Sequence, residues 1–171
     1  ILELLDDATK VRMRADAPYG AFLSGGLDSS SVVGFMERHK SEPIKTFSMG
    51  FSDSRFDETK YAIMASDRFN TIHKKEIMEY DAAAMWPKFI WHTDQPHGDV
   101  SFIPTYMVSA LAVQDTKMVL TGDGGDELFA GYNRHLYYSR IPNAVRYLPS
   151  WVGSSVANSI RAIGLTGLKA Q

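Results

Sequence analysis

Residues Tyr19–Ser30 read YGAFLSGGLDSS, and the architecture of the chain follows from them. The short apolar run that ends at Leu23 gives way to Ser24-Gly25-Gly26, which is how a strand that stops at a turn commonly reads. Asp28 then begins a helix, and the apolar residues after it recur at helical spacing. The stretch therefore predicts a strand, a glycine-rich turn and a helix in direct succession.

The same alternation of strands and helices continues on both sides of this stretch. We expect an opening helix over roughly residues 1–15, strands over 44–51, 71–77 and 117–121, and further helices from about residue 57, over 81–92 and over 104–114. Asp57 and Glu58 suit the first turn of one helix, and Pro104 suits the first position of another, where its missing N–H costs nothing. This order predicts an α/β fold with three layers, in which a parallel sheet with right-handed crossovers carries helices on both faces.

Composition and charge narrow the classes of function. The chain has 18 basic and 20 acidic residues, so its formal charge is −2 and nothing global attracts nucleic acid or an anionic membrane. It contains no cysteine, which excludes disulfides, thiolate-bound zinc and a thiolate nucleophile. Because the sequence has neither a membrane-spanning run nor a signal peptide, we expect a cytoplasmic location and no membrane partner.

Two segments are expected along the chain. Residues 1–140 show no linker, repeat or charge block, and we interpret them as one domain that is partial, since the chain opens at Ile1 and not at methionine. Residues 141–171 contain no acidic residue and carry apolar residues at helical spacing, which predicts an amphipathic helical tail that starts a further C-terminal part. This tail docks on the domain or on sequence outside the chain, or else lies on a membrane surface.

The loop Ser24–Ser30 has the residue types of a phosphate-binding loop. Ligands of open parallel sheets bind at the carboxyl ends of strands, where this loop is expected. Gly25 and Gly26 let backbone amides approach an anion, serine hydroxyls add donors, and the helix N-terminus adds partial positive charge. The loop lacks the lysine of a Walker loop and the third glycine of a dinucleotide fingerprint. The alternative is a plain glycine turn in which Asp28 caps the helix.

Asp28 points to a divalent cation, because a carboxylate beside bound phosphates would otherwise repel them. Mg²⁺ is commonly held by one or two carboxylates together with phosphate oxygens. The second carboxylate should follow a neighbouring strand, and its candidates lie in residues 121–127, which read TGDGGDE. The alternative for this second motif is a glycine-rich turn of left-handed conformation with Asp126 as a helix cap.

The sequence resembles the ATP pyrophosphatases, a family in which SGGLDSS is the pyrophosphate-loop signature. Within that family it is most similar to the synthetase domain of glutamine-hydrolysing asparagine synthetases, over about residues 1–140. The segments that carry the resemblance follow the family's order and are Ala21–Ser30, Phe47–Phe51, Phe56–Glu58, Asp94–Pro96, Pro104–Tyr106 and Thr121–Tyr132. The resemblance implies a fold like that of the adenine nucleotide α-hydrolases, which agrees with the α/β prediction.

The resemblance also implies where ATP and Mg²⁺ bind. The nucleotide would contact the first two strands, the glycine loop and the turn after the fourth strand, at Leu23, Ser24, Gly25, Gly26, Leu27, Asp28, Ser29, Ser30, Met49, Gly122 and Asp123. By the same matching, Asp28 and Asp126 would hold Mg²⁺, and Asp123 would be the acidic residue near the acyl-adenylate. Asp28, Asp123 and Asp126 are thus the implied catalytic residues.

The implied reaction is an ATP-dependent amide synthesis. Aspartate attacks the α-phosphorus of ATP to give β-aspartyl-AMP and pyrophosphate, and ammonia then displaces AMP to give asparagine. In the family, a preceding class II glutaminase domain supplies the ammonia and a downstream lysine assists; both are expected outside this chain, and a homodimer is compatible with the resemblance. The alternatives are a related ligase that adenylates another carboxylate, such as a β-lactam synthetase or a tailoring amidotransferase, and a nucleotide-binding module without catalysis.

Three further groups of residues invite a functional interpretation. His92 and His97 are either metal or acid–base groups or plain polar residues of a loop. Asp57 and Glu58 either ligate a metal or stabilise the start of their helix. An aromatic and basic cluster either stacks on bases or belongs to a core or an interface; it comprises Tyr132, Arg134, His135, Tyr137 and Tyr138.

Overall fold

The computed structural model describes residues 1–53, 57–78, 82–95, 98, 101–136 and 152 of the chain. Within them, helices and strands alternate as the sequence predicts. In chain order the elements are α1 (Leu2–Arg12), β1 (Tyr19–Phe22), α2 (Leu27–His39), β2 (Lys45–Phe51), α3 (Thr59–Phe69), β3 (Ile72–Met78), α4 (Ala82–Thr93), α5 (Phe102–Ala112), β4 (Met118–Leu120) and α6 (Gly125–Phe129). The tail predicted over 141–171 lies outside the described residues, apart from residue 152.

The four strands form one parallel sheet in the order β3-β2-β1-β4. β1 pairs with β2 as far as Phe22↔Phe47 and with β4 as far as Ala21↔Leu120, while β2 pairs with β3 along its whole length. The strands β2 and β3 therefore follow one another on one side of β1, and β4 lies on the other side of β1. Ligands bind at such reversals of strand order, beyond the carboxyl ends of the strands.

Apolar side chains cover both faces of the sheet. One face packs against α2 and α3, and its buried residues are Met13, Ala21, Leu23, Val33, Met36, Ile44, Ala62 and Leu120. The opposite face packs against α5, with a core of Phe47, Val108, Leu111 and Ala112. The α4 helix extends that second face through Phe89, whose ring lies edge-on to Tyr106 with centroids 5.2 Å apart. Helices thus cover both faces, and the predicted α/β fold of three layers is confirmed.

Three local expectations are corrected by the structure. The α5 helix begins at Phe102, two residues before Pro104. This position tolerates proline, because the N–H groups of a helix's first turn have no intrahelical partner in any case. The α3 helix begins at Thr59, so that Asp57 and Glu58 precede its first turn. The opening helix is shorter than the predicted 1–15, and its apolar stripe is exposed at its start, where Ile1 and Leu4 are solvent-accessible.

The chain divides into two compact units, Ile1–Gly124 and Gly125–Gln171. The first unit contains the whole sheet, and the second contains α6. The domain boundary predicted near residue 140 stays a prediction. Among the residues that the structure describes, no helix combines the length and the apolar character needed to cross a membrane.

Candidate functional site

The glycine loop between β1 and α2 is held in shape by its own serine hydroxyls. Ser29 Oγ donates to the carbonyl oxygen of Gly26 at 3.3 Å, and Ser24 Oγ lies 2.9 Å from Ser29 Oγ. The N–H of Gly26 donates to Ser24 Oγ at 3.2 Å, and the N–H of Ser24 donates to Ser29 Oγ at 3.3 Å. These bonds tie the end of β1 to the first turn of α2 and define the conformation of the loop.

Gly25 lets the loop pass close to α3. Its φ is +83°, which side chains other than glycine rarely adopt, and a Cβ at this position would overlap the backbone of Tyr61 and Ala62. Both the conformation and the space therefore require glycine. The loop is consequently pressed against the start of α3, beside the carboxyl end of β2.

The N-terminus of α2 is open to an anion. Gly26 is the N-cap of this helix, and no side chain makes a capping hydrogen bond there. The backbone N–H groups of Leu27, Asp28 and Ser29 have no intrahelical partner, because the first turn of any helix leaves its donors unpaired. Helix ends of this kind bind phosphate and other anions. The interpretation of Asp28 as the cap is wrong, since Asp28 lies within the first turn.

The turn after β4 lies against the start of α2. A Cβ on Gly122 would lie 2.7 Å from Ser29 N and 2.9 Å from the carbonyl carbon of Asp28, so only glycine permits this approach. Asp123 follows in an exposed position and accepts a hydrogen bond from Thr121 Oγ1 at 2.9 Å. Two of the predicted site segments, 28–29 and 122–123, are thus brought together beyond the carboxyl ends of the adjacent strands β1 and β4.

Asp126 belongs to the second compact unit, in the first turn of α6. Because it lies inside this helix and not before it, the interpretation of Asp126 as a helix cap is wrong. The turn itself has the expected left-handed residue, since Gly124 has a φ of +90°. A Cβ on Gly131 would overlap Asp126 Oδ1, so Gly131 gives this carboxylate its space. The role of Asp126 as a second magnesium ligand stays a prediction.

A cavity of about 250 Å³ lies where β1 and β2 end. Leu23 and Met49, which the resemblance assigns to nucleotide binding, both line it. The pairing of β1 with β2 stops at Phe47, and Met49 lies two residues further along β2, so its backbone N–H and C=O face the same side with no β1 residue opposite. Small-molecule pockets commonly measure about 300–1,000 Å³, so this cavity is sized for one ring system.

Several residues of the cavity wall were not predicted from the sequence as site residues. They are Ser48 on β2, Thr59 at the start of α3, and Pro104 and Thr105 in the first turns of α5, whereas Glu58, a candidate from the sequence, also lines the wall. A signal was available for Ser48, because Thr46 and Ser48 are buried polar residues on one face of an otherwise apolar strand. The residues from α5 could not be assigned from the sequence, since their position depends on how that helix crosses the sheet.

The other candidate residues have local roles in the structure. The N–H and hydroxyl of Thr59 both donate to Asp57, at 3.3 and 2.8 Å, and the hydroxyl bond lowers the pKa of the Asp57 carboxyl. This favours the helix-stabilising interpretation of Asp57. His92 is exposed and lies beside the ring of Tyr106, with centroids 5.3 Å apart. His97, Tyr137 and Tyr138 lie outside the described residues.

Tyr132 is held within the second unit. Its hydroxyl donates to Glu127 Oε1 at 2.6 Å, which raises the pKa of Tyr132 and lowers that of Glu127. The guanidinium of Arg134 lies 4.4 Å from the centre of the tyrosine ring. Because a side chain already covers this ring, the packing interpretation is favoured over base stacking. No group of three or more acidic or histidine side chains that could hold a metal occurs in the part of the chain that the structure describes.

Comparison with known proteins agrees with this geometry. The sequence matches the protein-family model described as asparagine synthase over residues 1–168. The chain belongs to the asparagine synthase family. The resemblance drawn from the motifs is therefore confirmed.

Individual relatives within the family support the same assignment. The chain is 46% identical over 152 residues to the putative asparagine synthetase (glutamine-hydrolyzing) 2 of Methanocaldococcus jannaschii, and 34% identical over 173 residues to asparagine synthetase (glutamine-hydrolyzing) 1 of Bacillus subtilis. These matches cover 88% and 96% of the chain but only 29% and 27% of the two relatives. The chain thus spans less than a third of each relative's length.

Solved structures support the fold. The NH3-dependent NAD synthetase of Campylobacter jejuni superposes with a TM-score of 0.50 at 20% identity, covering 77% of this chain and 59% of the other. At this level of identity the similarity concerns the fold alone. It supports the fold of a parallel sheet covered by helices that the structure shows.

Proposed function

We propose that this chain is the ATP-using synthetase part of an enzyme that converts aspartate to asparagine. One observation carries the proposal: Gly122 packs on the first turn of α2, beside an uncapped helix N-terminus and a cavity sized for one ring system. That arrangement suits a nucleotide with its base in the cavity and its phosphates on the amides of the loop. Membership of the asparagine synthase family selects this amide synthesis among the reactions that such a site supports.

The proposed reaction has two displacements. A side-chain carboxylate oxygen of aspartate attacks the α-phosphorus, the bond to the bridging oxygen breaks, and pyrophosphate leaves with β-aspartyl-AMP retained. The nitrogen of ammonia then attacks the acyl carbon, a proton is lost, and AMP leaves as asparagine forms. Neither step needs a nucleophile from the protein, which agrees with a chain that has no cysteine. Because the two relatives are named as glutamine-hydrolysing, we propose that glutamine hydrolysis elsewhere in the protein supplies the ammonia.

The residues of this chain fit a magnesium ion. Asp28 is partly buried in the first turn of α2, and its carboxylate makes no hydrogen bond or ion pair with another residue in the described part of the chain. A carboxylate so placed beside an anion-binding helix end suits a hard cation that also binds phosphate oxygens. We propose Asp28 as a protein ligand of this ion. When bound, the ion would neutralise charge on the departing pyrophosphate.

An isotope-exchange assay tests the proposed reaction. The full-length protein is incubated with ATP, labelled pyrophosphate and one amino acid at a time, and incorporation of label into ATP is measured. We expect exchange that depends on aspartate, because only a reversible adenylation returns pyrophosphate to ATP. Exchange with another carboxylic acid and none with aspartate would instead favour a β-lactam-type or tailoring ligase. Binding of ATP without exchange for any acid would favour a nucleotide-binding module.

Removal of the Asp28 charge tests the magnesium assignment. In Asp28→Asn we expect ATP binding to lose most of its dependence on Mg²⁺, with a loss of affinity of about tenfold or more in the presence of the ion. Isothermal titration of ATP with and without Mg²⁺ measures this effect in the full-length protein. Asp7→Asn, at an exposed position on α1, is the matched control and should keep the dependence of the unmodified protein. An unchanged dependence in Asp28→Asn would contradict the assignment.

A further inference from the structure

A chain of side-chain hydrogen bonds runs from the cavity wall into the layer between the sheet and α3. Ser48 Oγ lies 3.1 Å from Nε2 of His73, and Nδ1 of the same imidazole lies 2.9 Å from Thr46 Oγ1. Thr46 Oγ1 lies 2.8 Å from Thr71 Oγ1, which donates to Ser66 Oγ at 2.8 Å. The two β2 residues and Ser66 are buried, so water does not compete for these bonds.

The donor and the acceptor of each hydrogen bond in this series can be assigned, because each hydroxyl has a single proton. The proton of Thr71 goes to Ser66, so the bond between Thr71 and Thr46 is donated by Thr46. Thr46 Oγ1 must then accept from His73, which places the proton of the neutral imidazole on Nδ1. Nε2 is left as an acceptor, and Ser48 therefore donates to it.

The neutral form of His73 agrees with this assignment. Burial is the main cause that lowers the pKa of the His73 imidazole, and Lys75 on the same strand lowers it further, while Asp67 on α3 acts in the opposite sense. A neutral imidazole has one donor and one acceptor nitrogen, as the two bonds require. Since its proton is committed to His73, the hydroxyl of Ser48 has only lone pairs to offer a ligand.

The other hydroxyls of the cavity wall also donate their protons to protein atoms. Thr59 Oγ1 donates to Asp57 Oδ2 at 2.8 Å, and Thr105 Oγ1 donates to the carbonyl of Ser101 at 2.9 Å. Ser24 donates to Ser29, because the proton of Ser29 is used on Gly26. Within the described part of this wall, the side-chain hydroxyls thus present acceptors to the cavity. A ligand that fits them must bring hydrogen-bond donors.

We propose that His73 fixes Ser48 as an acceptor and that this pair selects a purine with an exocyclic amino group over one with a carbonyl at the same position. The inference rests on the proposed ATP site and adds a specificity determinant to it. The amino group of adenine donates to Ser48, whereas the carbonyl of hypoxanthine would face an oxygen with no proton to give. Sites that leave such polar groups unmatched reject the wrong ligand strongly. Ser48 is the contact residue and His73 is a positioning residue.

Nucleotide titrations in the full-length protein test the proposal. Affinities for Mg²⁺ complexes of ATP and inosine triphosphate are measured by calorimetry, and their ratio is compared among variants. We expect the unmodified protein to prefer ATP by about tenfold or more, and Ser48→Ala to reduce the preference to about threefold or less. Thr116→Val, which removes a buried hydroxyl bonded to the Ala112 carbonyl, controls for loss of stability and should keep the full preference.

Two variants of His73 separate positioning from structural support. His73→Gln can accept from Ser48 and donate to Thr46, so we expect it to keep the preference within about threefold of the original. His73→Leu frees the Ser48 proton to turn toward the ligand, and the preference should fall as in Ser48→Ala. If ATP binds but the preference is unchanged in Ser48→Ala or in His73→Leu, the inference is overturned and the ATP site stands. If neither nucleotide binds the unmodified protein, both are overturned.

Discussion

Gly25 and Gly26 are neighbours in the loop but face different constraints. Gly25 has a φ of +83° and lies against the backbone of α3. Gly26 has φ −67° and ψ 166°, a conformation open to any residue, and the nearest atom to a Cβ there is Ser24 Oγ at 3.3 Å. The pair therefore distinguishes a glycine that the fold needs from one that leaves room for a ligand.

Alanine substitutions at these two positions should have unequal effects on stability. We expect Gly25→Ala to lower the free energy of unfolding by more than about 2 kcal/mol, because strain and backbone overlap add. Gly26→Ala should lower it by about 1 kcal/mol or less, since alanine is only a poorer N-cap. Urea unfolding of both variants measures the difference. Equal losses would show that the close approach to α3 does not constrain the loop.

At the scale of single residues, motif residues were predictable and the histidine chain was not. The type and spacing of Gly25, Asp28 and Gly122 indicate a phosphate loop and a second turn near it without any coordinates. His73 lies in a strand that reads IHKKEIM and has no partner at motif spacing. Its partners come from the pairing of Thr46 with His73, which is a consequence of sheet register. Register of this kind depends on which face of each strand is buried and on the connections between the strands, and the β3 segment alone does not show it.

The α2 and α3 helices cover the same face of the sheet but bury different amounts of their surfaces. Met36 on α2 is fully buried beside Val33 and Ala21, in the main core of that face. Met64 on α3 has 65% of its surface exposed. These two methionines form a matched pair, because side-chain chemistry and helix propensity are the same and burial differs.

Truncation of each methionine to alanine tests this packing. We expect Met36→Ala to cost about 2–5 kcal/mol of unfolding free energy, through lost burial and the cavity left behind. Met64→Ala should change stability by about 0.5 kcal/mol or less. Thermal and denaturant unfolding provide the values. A small loss for Met36→Ala would mean that α2 does not rest on the sheet as described.

At the scale of elements, the existence and order of the helices and strands are predictable from the sequence. Several helices, however, begin at residues other than the predicted ones. Pro104 suits the beginning of α5, but Phe102 precedes it in the helix and packs edge-on to Phe89. That aromatic contact extends the helix backward, and no local signal in the sequence indicates it. Asp57 similarly lies before α3 because its carboxylate accepts the N–H and hydroxyl of Thr59.

For the whole molecule, His73 makes stability depend on pH. Its pKa is lowered in the folded protein, so between that value and the ordinary 6.5 the unfolded chain binds more protons. The stability that neutral His73 contributes is therefore complete above about pH 6.5 and is lost as the pH falls through the folded pKa. The carboxyls of Asp57 and Asp115 also have lowered pKa values. They change the pH dependence of stability only below their ordinary pKa of 3.8, which is outside the pH range assigned to His73.

Urea midpoints at about pH 7.5 and about pH 5.5 measure this dependence. We expect the unmodified protein to lose stability on acidification and His73→Gln to lose distinctly less. His92→Gln, at an exposed position, is the control and should retain the original pH dependence. The same dependence in His73→Gln as in the unmodified protein would contradict a buried neutral imidazole.

The three-layer fold as a whole was predictable because its signals repeat along the chain. Strand-like runs that alternate with helical segments, two of them ending in glycines, indicate a parallel sheet regardless of any single boundary. The order β3-β2-β1-β4 is not predictable in this way, since it depends on which side of β1 the last strand returns to. That return determines which turn meets the glycine loop, and it is why Gly122 reaches Ser29.

The unequal lengths of β1 and β2 have an evolutionary consequence. Where β1 has ended, β2 continues to Phe51 and exposes main-chain atoms that every amino acid carries. Mutations at Met49 can therefore change the side chain while the peptide group stays in place for a ligand. Natural variation should be tolerated there, whereas insertion of residues that prolong β1 would fill the gap with polypeptide and eliminate it.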